Sequence, residues 1–328
     1  MVINYLLIVF SAFLLNFLFL LILKKIAFKY NFFISKGTPH IGGIAVGLSF
    51  VLIGLLSLSI DGSRTKEALG ILIASVTMLI FGIIDDHREL SVFWKFFVQI
   101  ISISLLIILG VKTQIVHIGN AANIIITTIW VLGITNAFNH LDIMDGLAGG
   151  VAYIASLAFL ILSILNGHNP LIVLALAITG SIFSFMLYNF PPAKIYMGNS
   201  GSHLLGFVLA SIAPAISYAS AERKIALLSP ILILGLPIFD TAFLILMRLM
   251  KRKSIFKKSE DHLAMRFLKK GYSKNKTLIV ILSLASMYSL FGILITLVPN
   301  FLGLVIVIFM GIMSFLVAKN MSRVSIDG

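Results

Sequence analysis

Apolar runs long enough to cross a bilayer recur from one end of this 328-residue chain to the other. A span needs roughly 20 predominantly apolar residues. Eleven stretches are candidates, at about 3–23, 40–60, 67–84, 93–110, 120–137, 147–166, 170–188, 203–219, 225–249, 277–297 and 300–318. The second, fifth and eighth are the least clean, so ten is also allowed. Hydrophobic residues make up 59% of the sequence and charged residues 11%, with mean hydropathy +1.09. Soluble domains carry about 25% charged residues. The expected fold is all-α: a polytopic integral membrane bundle of about 11 (10–11) helices. It forms a single transmembrane domain over 1–328, with no soluble domain.

Charge sets the expected orientation. MVINYLLIVF has no basic residue ahead of its apolar run, and Lys24 and Lys25 follow it. This predicts an uncleaved anchor with its N-terminus outside. Sorting the 25 Lys and Arg by alternating loops then puts about 20 on one side and about 5 on the other. That asymmetry is the positive-inside rule. The net charge of +13 therefore orients the protein in the membrane, and no nucleic-acid partner is expected. The cytoplasmic loops fall at 24–39, 85–92, 138–146, 189–202 and 251–276. They hold nearly all the unusual polar chemistry. There is no cysteine, so disulfides are excluded.

The densest polar stretch is NAFNHLDIMDGLAGG, residues 136–150. Asn136, Asn139, Asp142 and Asp145 are each three residues apart. Neighbours at that spacing share a helix face, but nine residues of α-helix turn through about 900°. Asn136 and Asp145 would then point to opposite sides. The fifth helix is therefore expected to end near Asn136–Asn139, with a turn bringing Asp142 and Asp145 back before Gly146 opens the sixth. Free N–H groups there favour an anion. Asp85 and Asp86, where the third span reaches the cytoplasm, are adjacent and cannot share one face. They suit two roles, or only a solvated helix end. GNSGS at 198–202 reads as a backbone nest for phosphate ahead of a helix. Asp240 in LPIFDTAF lies deep in the ninth span, where a carboxylate is costly. It is either functional or hydrogen-bonded to a neighbouring helix. In the loop at 251–276, with ten basic and two acidic residues, His262 and Arg266 are four apart and suit a diphosphate. A lid held by anionic lipid is the plainer reading of that loop. Acidic and amide oxygens beside a phosphate site suit Mg²⁺. Together these are the parts for phosphoryl transfer from a soluble nucleotide to a molecule dissolved in the bilayer.

In order, GTPHIGG, IIDDHREL, NAFNHLDIMDGLAGG, NFPPAKIYMGNSGS, PIFDT and DHLAMRF resemble the polyprenyl-phosphate N-acetylhexosamine-1-phosphate transferases of glycosyltransferase family 4. The likeness runs from about residue 36 to 273 and is greatest to the branch using undecaprenyl phosphate and UDP-N-acetylglucosamine. It implies Mg²⁺-dependent (or Mn²⁺-dependent) attack of the lipid phosphate on the sugar-1-phosphate, giving UMP and a lipid-linked diphosphate sugar. It implies a bacterial plasma membrane location, with polyprenyl phosphate, a UDP-N-acetylhexosamine and membrane lipid as partners. A homodimer is left open. By resemblance Asp85 is a base for the lipid phosphate and Asp86 lies beside metal or phosphates. Asn139 and Asn199 fall at metal positions, and Asp142 and Asp145 contact sugar or phosphate. The substrate-binding group is Lys36, Asn136, Tyr196 (stacked on uracil), Ser200, His262 and Arg266. Two positions depart from the family pattern. Asn199 stands where GDSGS has Asp, and Met265 stands where a further His is usual. These departures motivate two alternatives: a catalytically impaired member acting as a lipid-binding scaffold, or a transferase for a different UDP-N-acetylhexosamine. A transporter is a third reading, prompted by Asp240 and disfavoured by the clustering of polar groups at one face.

Overall fold

The computed structural model describes residues 2–35, 37–116, 118–216, 223–252 and 261–324. They fall into two compact units, Met1–Ser217 and Tyr218–Gly328.

The first unit holds eight helices: α1 (Val2–Tyr30), α2 (Gly42–Ile60), α3 (Lys66–His87), α4 (Val92–Ile108), α5 (Gly119–Leu141), α6 (Leu147–Leu165), α7 (Asn169–Asn189) and α8 (Gly198–Ala215). Between α1 and α2, β1 (Ile34–Ser35) and β2 (Thr38–Pro39) pair antiparallel, with Ile34 opposite Pro39. Thr65 starts α3 by accepting the Ala68 N–H at 3.2 Å. That cap satisfies one of the orphan donors every helix start leaves. α7 packs on α1, α2 and α6, while α8 packs on α2, α3 and α5. Every residue of α8 from Ser200 to Ala213 is buried. Lipid solvates apolar side chains on the outer helices, so exposed Leu, Ile and Phe there are expected.

Close approach is bought with glycine at the start of α8. A Cβ on Gly43 of α2 would stand 2.0 Å from the Gly201 nitrogen, and one on Gly82 of α3 would stand 2.3 Å from the Ser200 Cα. The backbones of three helices therefore meet at Ser200–Gly201, which fixes where the α8 N-terminus points.

The second unit has a 3₁₀ turn (Lys224–Leu228), α9 (Ser229–Ile233), α10 (Gly235–Met250), α11 (Leu263–Lys269), α12 (Lys274–Leu294) and α13 (Asn300–Ser322). The segment expected as one continuous ninth span is bent by 71° between Ile233 and Gly235. Pro237 has no N–H for the Ile233 carbonyl four residues earlier, and the Ser289 hydroxyl donates to that carbonyl instead, at 3.3 Å. Part of the loop expected at 251–276 is helical, as α11.

Among the described residues the protein is all-α apart from the β1–β2 hairpin, and it is a multi-pass membrane protein. Among the described residues, eight helices are long and apolar enough to cross a membrane, and nine if the bent pair is one span. Each of the eleven expected stretches overlaps helix within the described residues. Two fall short on length or composition: α4 has 17 residues, and α8 opens on the polar GNSGSH turn.

Candidate active site

The turn between α5 and α6 forms where helical periodicity demands it. α5 ends at Leu141, Asp142 leaves the helical region (φ −79°, ψ 59°), and Gly146 takes φ +76° before α6 begins. Asp145 Oδ2 accepts the Ala193 N–H at 3.1 Å, and Asn189 Oδ1 accepts the Gly146 N–H at 3.0 Å. The turn is thereby stitched to the segment that leads into α8.

That segment is in turn zipped to the β2–α2 junction. Tyr196 N–H donates to the Pro39 carbonyl (2.9 Å), Gly42 N–H to the Tyr196 carbonyl (3.0 Å) and Gly43 N–H to the Met197 carbonyl (2.8 Å). His40 and Tyr196 face each other across this ladder, their rings edge-on with centroids 5.1 Å apart.

Asp86 decides what the α8 N-terminus does. Its Oδ1 accepts the Asn199 N–H at 2.6 Å and its Oδ2 the Ser200 N–H at 3.0 Å. Gly198 has φ +76°, and a Cβ there would lie 2.7 Å from the Asp86 carboxylate. The expectation of an open phosphate nest in GNSGS is therefore corrected: these residues are the first turn of α8, and a carboxylate from α3 already fills the nest. Asn139 Nδ2 donates to Asn199 Oδ1 (3.1 Å) and to Ser202 Oγ (3.0 Å). Asp86, Asn139, Asn199, Asp142 and Asp145 are thus gathered from α3, α5, α8 and the α5–α6 turn. Burial, and after it the negative charges of Asp86 and Asp145, push the Asp142 carboxyl up to about 7. Burial lowers the His40 imidazole below its ordinary range, against the opposing pull of Asp86.

Other expected site residues are occupied elsewhere. Asp85 is buried, with Oδ1 accepting the Leu90 N–H (2.8 Å) and Oδ2 paired to Lys95 Nζ (2.7 Å). It organises the α3–α4 turn. Asn136 faces α4, where its amide and that of Gln99 exchange hydrogen bonds at 2.8 and 3.4 Å. It does not join Asp145, as the 900° rotation required. Ser200 is buried under α2 and α3. Tyr196 is half-buried. Lys36 and residues 253–260 of the basic loop lie outside the described residues.

In the second unit, the expectation that Arg266 joins His262 on a diphosphate is corrected. Arg266 is 1% exposed. Its Nη2 donates to Asp261 Oδ1 (2.7 Å), its Nε to the Asp261 carbonyl (3.3 Å) and its Nη1 to the Met321 and Val324 carbonyls (3.0 and 2.6 Å). The guanidinium, stacked over the Phe243 ring, is consumed by the chain itself. His262 Nδ1 lies 2.7 Å from Asp240 Oδ2, so Asp240 is a hydrogen-bond partner within this unit.

Sequence reasoning missed Lys95, His40 and the clamps Asn189 and Ser202. His40 was visible in GTPHIGG. Nothing in the sequence marks Lys95 as the partner of a residue ten positions earlier.

The fold and the site together define a helical membrane protein whose carboxylate and amide groups crowd the ends of α3, α5 and α8 and the α5–α6 turn. Comparison with known proteins places it further. The description "Glycosyl transferase family 4" matches residues 68–217. A Bacillus subtilis protein described as a probable undecaprenyl-phosphate N-acetylglucosaminyl 1-phosphate transferase is 30% identical, over 87% of this chain and 81% of its own length. A decaprenyl-phosphate N-acetylglucosaminephosphotransferase of Mycobacterium tuberculosis is 31% identical, over 74% and 69% respectively. An undecaprenyl-phosphate alpha-N-acetylglucosaminyl 1-phosphate transferase of Thermotoga maritima is 27% identical, over 79% and 77%. The chain belongs to glycosyl transferase family 4.

Proposed function

We propose that this protein transfers N-acetylglucosamine-1-phosphate from UDP-N-acetylglucosamine to undecaprenyl phosphate, the first membrane step of cell-envelope polysaccharide synthesis in a bacterial plasma membrane. An acceptor phosphate oxygen bonds to the sugar-bearing phosphorus of the donor. The bond from that phosphorus to the bridging oxygen breaks, and UMP leaves with that oxygen and the electron pair. The observation that carries this reading is the convergence of Asp86, Asn139, Asp142, Asp145 and Asn199 within a chain of this family.

The donor set fits a hard divalent ion. It consists of carboxylate and amide oxygens only, and Asp142 titrates high through burial first and then the negative charges of Asp86 and Asp145. Asp86, Asn139 and Asn199 would hold Mg²⁺, or Mn²⁺ in its place, which neutralises diphosphate charge when bound. The chain's own groups do the rest. Asp142, at about 7, is matched to take the proton of a phosphate monoester, whose second pKa is about 6. It suits the base role better than Asp85, which Lys95 neutralises. Asp145 braces the α5–α6 turn against Ala193. Tyr196, edge-on to His40, offers a ring to the uracil. The basic excess supports eleven spans with these helix ends facing the cytoplasm.

The test is UMP release by the purified protein with undecaprenyl phosphate, a panel of UDP-sugars, and Mg²⁺ or EDTA. Release confined to UDP-N-acetylglucosamine and abolished by EDTA supports the reading. No release with any UDP-sugar refutes it in favour of a lipid-binding scaffold. That second reading has one observation behind it: the Asn199 oxygen, uncharged, is already bonded by Asn139.

A further inference from the structure

The hold of Arg266 on the end of α13 gathers positive charge there. Its Nη1 takes the Met321 and Val324 carbonyls, the kind of group through which a helix C-terminus attracts a cation. Three further cations stand around that end. Lys319 and Arg323 are exposed and four residues apart, so they are neighbours on the helix surface. Lys270, which closes α11, reaches the residue beside Lys319: its Nζ donates to Asn320 Oδ1 at 3.3 Å.

Nothing acidic in this unit answers them. Among its described residues the carboxylates are Asp240 and Asp261, and both are buried. Asp240 is bonded to His262 and to the Leu263 N–H. Asp261 is shared by Arg266 and Lys251. Lys270, Lys319 and Arg323 therefore have no acidic partner among the described residues of this unit. Like charges this close repel, and Arg266 already occupies the carbonyls that would draw them to the helix end. The positive-inside rule orients the chain, but it does not require tertiary contacts to bring cations from two helices together. The counter-charge comes from outside the protein.

The rest of the helix face indicates its chemistry. Ile312, Phe315, Leu316, Lys319, Asn320 and Arg323 recur at the three- and four-residue spacing of a single helix face. The first three are 56%, 65% and 57% exposed, and the last three are exposed as well. One open strip thus runs from apolar to cationic. α13 has 23 residues, about 35 Å of helix, against a hydrocarbon core of about 30 Å. Its cationic end falls at the level of the lipid headgroups. A free phosphate would use only that end, whereas a molecule with a phosphate at the head of acyl chains uses the whole strip.

We propose that this strip of α13, together with Lys270, is a docking surface for an anionic phospholipid. The acyl chains lie along Ile312, Phe315 and Leu316, and the phosphate is held by Lys270, Lys319 and Arg323. The lipid neutralises the charge that the α11–α13 junction assembles. This inference is independent of the transferase reading.

The experiment places the full-length protein in phosphatidylcholine nanodiscs containing a trace of lipid with a photoreactive acyl chain, either phosphatidylglycerol or phosphatidylcholine. Labelling is read by mass spectrometry at the peptide holding Phe315 and Leu316. Each cation is worth about fivefold in anionic-lipid binding, so the wild type is expected to favour the phosphatidylglycerol tracer there by roughly 100-fold. The variant Lys270→Gln/Lys319→Gln/Arg323→Gln is expected to label equally with both tracers. Lys24→Gln/Lys25→Gln/Lys29→Gln on α1 removes the same charge elsewhere and should keep the preference at α13. Equal labelling in the wild type overturns the proposal, as does a preference that survives in the first variant or vanishes in the second. Loss of the preference on adding millimolar inorganic phosphate would make this a free-phosphate site. Its loss to an equimolar amount of undecaprenyl phosphate would make it an acceptor site, and either result also overturns the proposal.

Discussion

Replacing Gly43 with alanine tests whether the start of α8 is placed by backbone contact. The new Cβ would lie 2.0 Å from the Gly201 nitrogen, 2.3 Å from its Cα and 2.7 Å from the Ser200 carbonyl carbon. Nonbonded carbons settle at about 3.5 Å, so α2 and α8 must separate by roughly 1.5 Å. No side-chain rotation relieves this, because the opposing atoms are main chain. The separation strains the Gly43–Met197 hydrogen bond, now 2.8 Å. It also carries Asn199 and Ser200 away from Asp86, which holds them at 2.6 and 3.0 Å. Overpacking of this kind costs about 1–3 kcal/mol, and a displacement near 1 Å at a reacting centre costs about 100-fold in rate. Gly43→Ala is therefore expected to lower UMP release by about 100-fold while the protein still folds, with a modestly reduced melting temperature. Gly133→Ala on α5, where a Cβ meets nothing within 4 Å, serves as the control and should keep wild-type turnover. Wild-type activity and melting in Gly43→Ala would refute the reasoning, because the α2–α8 contact would then be neither tight nor coupled to the site.

Three further outcomes are expected. Asn199→Asp should lower the Mg²⁺ concentration for half-maximal activity roughly tenfold, since ligand charge tunes affinity for hard cations; an unchanged metal titration removes residue 199 from the ion's neighbourhood. Asp142 titrates near 7 when folded, against an ordinary 3.8, so the folded state binds the extra proton. Its contribution to stability is present at low pH and is lost as pH rises through about 7. Without divalent ions the melting temperature should fall between about pH 4 and 7, and Asp142→Asn should abolish that fall; an identical fall in the variant counts against this assignment. Lys95→Met should destabilise the protein by about 3 kcal/mol in denaturant titrations, because it strands the buried Asp85 carboxylate. Asp85→Asn in the same background should recover most of that loss; no recovery would mean that Lys95 acts on something else.

Much of this was legible because lipid simplifies the code. Apolar runs located the long helices but not α11, and the three-residue steps from Asn136 through Asn139 and Asp142 to Asp145 were enough to demand the turn that Asp142 and Gly146 make. The division between Asp85 and Asp86 was not legible. Adjacent helical residues point about 100° apart, and which of them meets α8 depends on the Gly82–Ser200 approach, a tertiary fact. Arg266 misled for a related reason. Its spacing from His262 put both on one face of a short helix, yet the carbonyls that captured it belong to residues 55 and 58 positions away. The bend at Leu234 was written in Pro237 but hidden by unbroken hydrophobicity. The Asn139–Asn199 amide pair joins residues from two motifs that sequence reading had placed at one metal, so the proximity was legible and the hydrogen bond between them was not.

The grip of Arg266 on the Met321 and Val324 carbonyls has a practical corollary for anyone handling this protein. An affinity handle joined hard against Val324, or a deletion reaching back to Met321, would tug on or remove the strap that holds α11, and with it the seat of His262. Handles belong at the other end of the chain or behind a slack spacer, and a dead preparation carrying a tight carboxy-terminal fusion would say little about the enzyme itself.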